Sequence, residues 1–185
     1  MHLFFLIIAS PLMFAIALLI KLSSEGPVFF KQERQGMNGK KFMVYKFRSM
    51  IIHEEECGAV SQAKRNDHRV TAIGRILRRT SLDELPQLFN VLRRDMSIVG
   101  PRPHAIAHNE YYKNLVPSYE ERFRVKPGIT GWAQINGFRG ETDILEKMER
   151  RIEYDVYYIE HWTLLFDLKI IALTLWRGFF HRNAY

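Results

Sequence analysis

Residues 3 to 20 read Leu-Phe-Phe-Leu-Ile-Ile-Ala-Ser-Pro-Leu-Met-Phe-Ala-Ile-Ala-Leu-Leu-Ile, and this apolar stretch decides the architecture of the chain. It carries no charge, and Ser10 is its only polar side chain. As a straight helix it would be about 27 Å long at ~1.5 Å per residue, slightly short of a hydrocarbon core of ~30 Å. We therefore predict a membrane-embedded helical segment over residues 1–22, with Lys21 at the cytoplasmic headgroups, and a second domain over residues 23–185.

The pair Ser10-Pro11 lies near the middle of this segment. Proline lacks a backbone donor and its ring clashes with the preceding turn, so a bend is expected there. Lipid tolerates such a break only where neighbouring groups satisfy the freed carbonyl. We favour a bent, re-entrant segment that enters and leaves by the same membrane face. A straight spanning anchor and a buried helix of a soluble protein stay open, whereas Met1-His2 lacks the basic residues that begin a cleaved signal peptide.

The composition is that of a compact globular protein with an anionic partner. The chain has 185 residues, of which 47% are hydrophobic and 25% are charged, and its net charge is +7. Nucleic acid, an acidic membrane and a phosphorylated substrate would all satisfy that charge. The single cysteine, Cys57, excludes an intrachain disulfide. The histidines show no metal-ligand spacing, and the sequence contains no Walker A or G-x-G-x-x-G pattern.

The remaining pattern predicts an α+β fold that is mainly helical. The turn Gly36-Met37-Asn38-Gly39 separates two short extended runs, which is typical of a small β-hairpin. Residues 53–67 are polar and aperiodic, and we predict a mobile loop there. Residues 167–180 are typical of an amphipathic helix in the membrane interface, although a C-terminal helix packed on the core fits equally well. Further helices are predicted over residues 73–77, 85–92, 110–124 and 142–159, and a glycine-rich loop over residues 128–140.

An adjacent acid pair, Asp83-Glu84, lies among arginines on both sides. Carboxylates among guanidiniums are typical of a site that handles phosphates, where cations hold the anion and a carboxylate attacks it or binds a metal. The helix dipole of a first turn would keep both acids ionised. The same residues also fit a capping box, Ser81-x-x-Glu84, that would only close the first turn of a helix. From the pattern alone both interpretations stay open.

Two further segments are candidates for binding. Arg102 is held between two prolines, which limits the ordering cost of binding a phosphate, whereas Arg78 could equally belong to a solvated helix face. The segment from Lys126 to Trp132 combines glycines with an aromatic residue. It could be a simple turn, or it could admit a nucleotide closely.

At these residues the sequence resembles the bacterial sugar transferase family, the monotopic polyprenyl-phosphate phosphoglycosyl transferases. The resemblance covers nearly the whole chain, and the run from Trp132 to Thr142 is most similar to the branch that transfers glucose 1-phosphate to undecaprenyl phosphate. The segments that carry the resemblance are Ser10-Pro11, residues 26–34, residues 46–50, residues 80–103 and residues 126–132.

This resemblance implies an enzyme that transfers a sugar 1-phosphate from a UDP-sugar to undecaprenyl phosphate and releases UMP. Asp83 would be the nucleophile that forms a covalent phosphosugar-aspartate intermediate, and Glu84 would help bind Mg²⁺. Residues 23–185 would form the catalytic domain on the cytoplasmic face of the bacterial inner membrane, in contact with membrane lipid and without nucleic acid. The binding residues that it implies are Arg78, Arg102, Lys126, Gly128, Thr130, Gly131 and Trp132.

The product would be the first lipid-linked sugar of an exopolysaccharide, capsule or O-antigen. Galactose or an N-acetylated sugar in place of glucose, and a homo-oligomer, stay open. So do a membrane-tethered polyanion-binding protein that uses the basic segment from Val28 to Arg48, and a metal-dependent phosphohydrolase. The chain differs from the family in beginning a turn or two later and in carrying Arg94 where glycine is usual. If that position requires φ > 0, arginine there adds strain of about 1 kcal/mol.

Overall fold

The structure is a computed structural model that describes residues 2–51, 67–140 and 144–180. It combines helices with two small sheets, in agreement with the predicted α+β class. The loop predicted over residues 53–67 falls almost wholly outside the described residues, as does Cys57.

The N-terminal segment forms helix α1, His2–Ser23, with Pro11 inside it. The Ser10 hydroxyl donates a hydrogen bond of 2.8 Å to the carbonyl of Ile7. That carbonyl is the one that the proline nitrogen cannot serve, so Ser10 replaces the missing donor. The bend and the re-entrant path stay predictions.

Helix α1 contacts the rest of the protein along one face. Met13, Ile16 and Ile20 pack with Phe47 and Leu77 in one hydrophobic cluster. Residues 6–23 are long and apolar enough to cross a membrane, yet only 17% of them are buried. A core helix of a soluble protein would be mostly buried, so the exposed apolar surface favours an apolar environment around α1.

Arg48 holds the C-terminal end of α1. Its buried guanidinium donates to the carbonyl of Ser24 at 2.7 Å and also to that of Glu25. The last carbonyls of a helix have no intrahelical partner, and a cation there also complements the helix dipole. Arg48 therefore joins the end of α1 to the strand that ends at Phe47.

The predicted hairpin is confirmed. Strand β1, Phe29–Gln35, pairs antiparallel with β2, Lys41–Phe47, in a register that runs from Phe29 opposite Phe47 to Gln35 opposite Lys41. Asn38 takes a left-handed conformation in the turn, with φ of 56°. Asparagine tolerates that conformation, which explains why the turn closes there.

The acid pair lies on a 3₁₀ turn, Leu82–Glu84, between α2, Ala72–Thr80, and α3, Gln87–Leu92. The capping-box interpretation is wrong. Ser81 has a φ of 60° and ends α2, and its side chain caps no amide of the turn. Its hydroxyl instead accepts a hydrogen bond of 2.8 Å from Arg139, and the Glu84 side chain points to cations. Tertiary partners have replaced the local cap.

Two short strands that the sequence pattern did not predict place the arginine loop. Strand β3, Ser97–Val99, runs parallel to β4, Gly128–Thr130. The irregular segment 100–104 follows β3, and the two prolines that flank Arg102 have fixed φ angles. A Cβ on Gly128 would lie 2.1 Å from the amide nitrogen of Gly100, so only glycine permits the strands to approach this closely.

The second half of the chain is more interrupted than predicted. The single helix expected over residues 110–124 is instead α4, Ile106–Tyr112, and a 3₁₀ helix, Tyr119–Arg124. Pro117 lies between them and disfavours a helical conformation at Val116. The expected loop over residues 128–140 contains β4 and a short helix, α5, Trp132–Ile135.

Two long helices complete the described part of the fold. Helix α6, Leu145–Glu160, agrees with the predicted helix except at its start, where residues 141–143 lie outside the described ranges. Helix α7, Leu164–Phe180, buries Ile170 against Val99, Ile135 and Tyr158. Its other face exposes large side chains, and its placement in a membrane interface stays a prediction. These exposed residues are Leu164, Leu165, Leu168, Leu175 and Trp176.

Candidate active site

The carboxylate of Glu84 is surrounded by three cations. Its Oε1 lies 2.9 Å from Lys46 Nζ and 2.7 Å from a guanidinium nitrogen of Arg102. Its Oε2 lies 3.3 Å from Arg102 and 3.6 Å from Arg139. Burial alone would raise the pKa of Glu84, but the charges of Arg102, Lys46 and Arg139 outweigh burial and hold it well below its ordinary value. Glu84 is therefore an anion that holds the three cations together.

Asp83 is held quite differently. Its carboxylate is half-buried and makes no hydrogen bond or ion pair with any other described residue. Burial and the adjacent charge of Glu84 raise its pKa, although Lys46, Arg139 and Arg102 act in the opposite direction. Asp83 lies on a 3₁₀ turn and not in the first turn of an α-helix, and the effect expected of a helix dipole on its ionisation stays a prediction. Within the described part of the chain the oxygens of Asp83 therefore stay without a hydrogen-bond or ion-pair partner, which suits a group that reacts.

The cations of the site come from distant parts of the chain. Lys46 is on β2, Arg102 is on the proline-bounded segment after β3, and Arg139 follows α5. Together they bring three positive charges to two carboxylates. Arg34 is a fourth cation near the site. Burial and the charge of Arg102 lower its pKa to about 10, which leaves it protonated at neutral pH. The surplus positive charge suits an anionic ligand such as a diphosphate.

Of the predicted phosphate-binding arginines, the structure brings only one to the acid pair. Arg102 makes a two-pronged contact with Glu84. Arg78 is on α2 and is not among the contacts of Asp83 or Glu84. The binding role expected of Arg78 stays a prediction.

The predicted segment from Lys126 to Trp132 has visible packing roles. Positions 128 and 131 require glycine, because the backbone of Gly100 approaches both Gly128 and Gly131 closely. The Thr130 hydroxyl lies 2.7 Å from that of Thr174 on α7. Trp132 packs edge to face with Phe166 and lies under Lys169, whose Nζ is 5.5 Å from the ring centre. A nucleotide or sugar pocket formed by Lys126 and these residues stays a prediction.

Lys46 and Arg139 are the site residues that sequence reasoning missed. Lys46 could have been found, because side chains alternate along a strand and Lys46 shares a face with buried Val44. A lysine on a buried face needs a partner of opposite charge. Nothing local marks Arg139, since its partners Ser81 and Glu84 are far away in the sequence.

The acid pair also fits a magnesium ion in one specific way. No group of three or more histidine, cysteine or acidic side chains that could hold a metal occurs among the described residues. Mg²⁺, however, is commonly bound by one or two carboxylates together with substrate phosphates and water. Asp83 carries no other bond, and the contacts of Glu84 Oε2 are longer than those of Oε1. The pair could therefore hold Mg²⁺ when a diphosphate supplies further oxygens.

Comparison with known proteins identifies the family. The family model for bacterial sugar transferases matches residues 1–181. A UDP-glucose:undecaprenyl-phosphate glucose-1-phosphate transferase of Escherichia coli (strain K12) is 59% identical over 180 residues, which are 97% of this chain and 39% of that protein. The exopolysaccharide production protein PSS of Rhizobium leguminosarum bv. phaseoli is 49% identical over 92% of this chain and 86% of its own length.

A third relative carries the name of a different sugar. A UDP-N-acetylgalactosamine-undecaprenyl-phosphate N-acetylgalactosaminephosphotransferase of Aeromonas hydrophila is 44% identical over 90% of this chain and 38% of its own length. The chain thus spans about two fifths of the length of two of these relatives and most of the third. The family match covers every residue of the site described above, and on that evidence the chain belongs to the bacterial sugar transferase family.

Proposed function

We propose that this protein transfers glucose 1-phosphate from UDP-glucose to undecaprenyl phosphate and releases UMP. The observation that supports this proposal is the contrast within the acid pair. Glu84 contacts three cations, whereas Asp83 has no hydrogen bond or ion pair with another described residue. The name of the Escherichia coli relative, 59% identical over 97% of this chain, supports glucose as the sugar. The name of the Rhizobium relative supports a product that enters an exopolysaccharide.

The transfer takes place in two displacements. A carboxylate oxygen of Asp83 attacks the β-phosphorus of the UDP-sugar, and the bond between that phosphorus and the bridging oxygen breaks, so that UMP leaves with the bridging oxygen. An oxygen of the lipid phosphate then attacks the same phosphorus and displaces Asp83. Two steps allow a soluble nucleotide sugar and a membrane lipid to be used one after the other.

The cations around Glu84 would stabilise charge on the reacting phosphates. Arg102 and Lys46 lie within contact of Glu84 and could turn part of their hydrogen-bonding capacity to phosphate oxygens. Mg²⁺, which Glu84 would help to hold, would supply further positive charge to the diphosphate when bound. The raised pKa of Asp83 indicates that the cations offset its burial only in part, so a bound cation would favour its reactive, ionised form.

A membrane location fits this function. Helix α1 exposes most of its apolar surface, and α7 exposes several large apolar side chains. We infer that these surfaces hold the catalytic domain on the cytoplasmic face of the inner membrane, where the nucleotide sugar and the lipid phosphate are both accessible. The helix α1 would be the membrane-embedded segment and residues 23–185 the catalytic domain.

The nucleophile is tested by Asp83→Asn in purified protein with Mg²⁺ and UDP-[¹⁴C]glucose. Without lipid acceptor, the wild type is expected to release about one equivalent of UMP and to retain the label through gel filtration in denaturant. Asp83→Asn is expected to retain none and to lower steady-state UMP release by at least about 10³-fold, as losing a nucleophile does.

Asp95→Asn is the matched control, because Asp95 is paired with the exposed Arg93 at 3.4 Å and lies outside the site. Undiminished UMP release by Asp83→Asn would exclude the covalent mechanism. A panel of UDP-glucose, UDP-galactose and UDP-N-acetylgalactosamine identifies the sugar, and the proposal fails for glucose if another donor reacts faster.

A further inference from the structure

A buried polar cluster lies behind the candidate site, and the proposed mechanism does not use it. We define it by His104, Arg122, Arg151 and Asp155, all of which are buried. Arg122 pairs with Asp155 at 3.1 Å. Arg122 contacts both ring nitrogens of His104, and Arg151 contacts its Nε2 atom at 3.2 Å. A buried guanidinium is costly unless its donors are satisfied, so the groups that each of these arginines contacts decide what the cluster can do.

The histidine of the cluster serves as an acceptor. Burial and the charges of Arg122 and Arg151 hold the pKa of His104 well below its ordinary value, so its ring stays neutral. Tyr119 bonds to the Nδ1 atom of His104 at 2.7 Å and donates to Asn109 at 2.7 Å. The ring therefore holds both arginines in one place without adding a third positive charge.

Each buried arginine also donates to the backbone of a segment that carries a site cation. Arg122 donates to the carbonyl oxygen of Arg102 itself. Arg151 donates to the carbonyl oxygen of Gly140 at 2.6 Å, one residue after Arg139. The side chains of Arg102 and Arg139 then reach Glu84, where they contact both carboxylate oxygens.

We propose that Arg122 and Arg151 are positioning residues that hold the two segments bearing Arg102 and Arg139, so that both guanidiniums meet Glu84 and the substrate phosphates in fixed geometry. The inference rests on the proposed function for the role of those cations. A shift of about 1 Å in a group that orients a reacting phosphate is sufficient to lower a rate by about 10²-fold. A lysine in place of either buried arginine keeps the charge but cannot bond the carbonyl and the cluster at once.

Double-mutant cycles in UMP release test this role. Arg122→Lys and Arg102→Lys are each expected to lower kcat by about 10-fold or more, through misplacement and through loss of the two-pronged contact respectively. If Arg122 acts through Arg102, the double variant should be at most about 3-fold slower than Arg102→Lys alone. The same relation is expected for Arg151→Lys in an Arg139→Lys background. If the two substitutions in each cycle lowered kcat by independent factors that multiply, the proposal would be overturned.

The matched control is Arg48→Lys. Arg48 is also a buried arginine that donates to backbone carbonyls, but at the end of α1. Its substitution is expected to lower thermal stability as much as Arg122→Lys does. Its effect on kcat should multiply with that of Arg102→Lys, which means that the two positions are not coupled. Coupling of equal size for Arg48 would mean that any buried arginine disturbs the site through general destabilisation.

Hydrogen exchange provides a readout that does not depend on turnover. Arg122→Lys is expected to speed amide exchange in peptides that cover residues 100–105, Arg151→Lys in those that cover residues 137–140, and Arg48→Lys only near residues 20–25. Exchange that is unchanged or uniformly faster in the first two variants would contradict the positioning role. A wild type that releases no UMP from any UDP-sugar would instead contradict the proposed function, and the exchange result would still decide the role of the cluster.

Discussion

At the scale of single residues, two neighbouring acids differ because their surroundings differ. Glu84 contacts Lys46, Arg102 and Arg139, and its pKa is lowered. Asp83 has no such contact, and burial beside Glu84 raises its pKa. A lowered pKa means that the ionised form stabilises the fold, whereas a raised pKa means that the ionised form destabilises it at neutral pH. One acid therefore supports the structure, and the other holds an unfavourable charge at the position that we propose reacts.

This difference predicts opposite effects of two conservative substitutions. Glu84→Gln leaves three cations without their anion and is expected to lower the free energy of unfolding by about 3 kcal/mol at pH 7, as breaking a buried ion pair does. Asp83→Asn removes an unfavourable charge and is expected to leave that free energy unchanged or to raise it. Urea denaturation of both variants measures the two effects.

The pH dependence of the Glu84 variant follows from the direction of the pKa shift. Because the folded pKa lies below the ordinary 4.5, the loss in Glu84→Gln should be fully present above pH 4.5 and should shrink only as the pH falls towards the folded value. A loss that disappeared above pH 4.5, or equal losses for the two substitutions, would contradict this account of the pair.

Arg94 is a second residue whose backbone sets its energetics. The resemblance to the family places glycine there, and the structure gives Arg94 a φ of 65°, so the condition under which arginine adds strain is met. Arg94→Gly is predicted to raise the free energy of unfolding by about 0.5–1 kcal/mol, because glycine adopts this conformation without strain. Arg93→Gly is the control, since Arg93 has a φ of −71° and its replacement should lower stability. If Arg94→Gly also lowered stability, the strain would be absent.

At the scale of elements, the pair β3 and β4 determines where Arg102 lies. Gly100 follows β3 and donates from its amide to the carbonyl of Thr130, and Gly128 donates to that of Pro101. A Cβ on Gly128 would meet backbone atoms at 2.1 Å and 2.4 Å, which no side-chain rotation can relieve. The strands would have to move apart and would carry the arginine segment with them.

Gly128→Ala is therefore predicted to lower both stability and UMP release. We expect a loss of about 3 kcal/mol or more in the free energy of unfolding, in the range of a severe overpacking change, and a fall in kcat of at least about 10-fold. Gly36→Ala is the comparison, because the nearest neighbours of its Cβ would all be side-chain atoms, the Phe42 ring at 3.1 Å and Pro127 Cδ at 3.4 Å, and a ring can shift. If the two variants behaved alike in urea denaturation and in UMP release, the close approach of β3 and β4 would not control the site.

At the scale of the whole molecule, the path of α1 decides on which side of the membrane residue 1 lies. The helix has 22 residues, so a straight form would be about 33 Å long and could cross a hydrocarbon core of ~30 Å. Pro11 weakens the helix at mid-length, and Ser10 bonds the carbonyl that the proline leaves without a donor. These two residues make a bend tolerable within lipid.

The prediction concerns a tag at residue 1, labelled from each side of the membrane. A re-entrant α1 places the tag on the cytoplasmic side, so a reagent that cannot cross the membrane should label it only after permeabilisation. Ser10→Leu with Pro11→Leu restores an uninterrupted apolar helix and is expected to move the tag to the periplasmic side. Labelling of the wild-type tag from outside intact cells would rule out the re-entrant path.

Several features were readable from local sequence because they depend on neighbouring residues. The apolar stretch around Pro11, the turn at Asn38 and the stiff segment around Arg102 each follow from short-range rules. The resemblance to the family pointed to the acid pair and to Arg94. Helix interruptions were predicted less well, since the split at Pro117 required weighing one proline against an otherwise helical pattern.

What the sequence by itself determined is therefore the apolar first helix, the hairpin, most of the helices and, with the family resemblance, the acid pair beside Arg102. Only the tertiary structure decided that Lys46 and Arg139 join Glu84, that Arg78 does not, and that Ser81 ends one helix without capping the next turn. The physical reason is distance along the chain, since Lys46 and Glu84 are 38 residues apart and Arg139 bonds a residue 58 positions away. Local patterns report which element a residue belongs to, whereas the charge that it meets depends on how those elements pack.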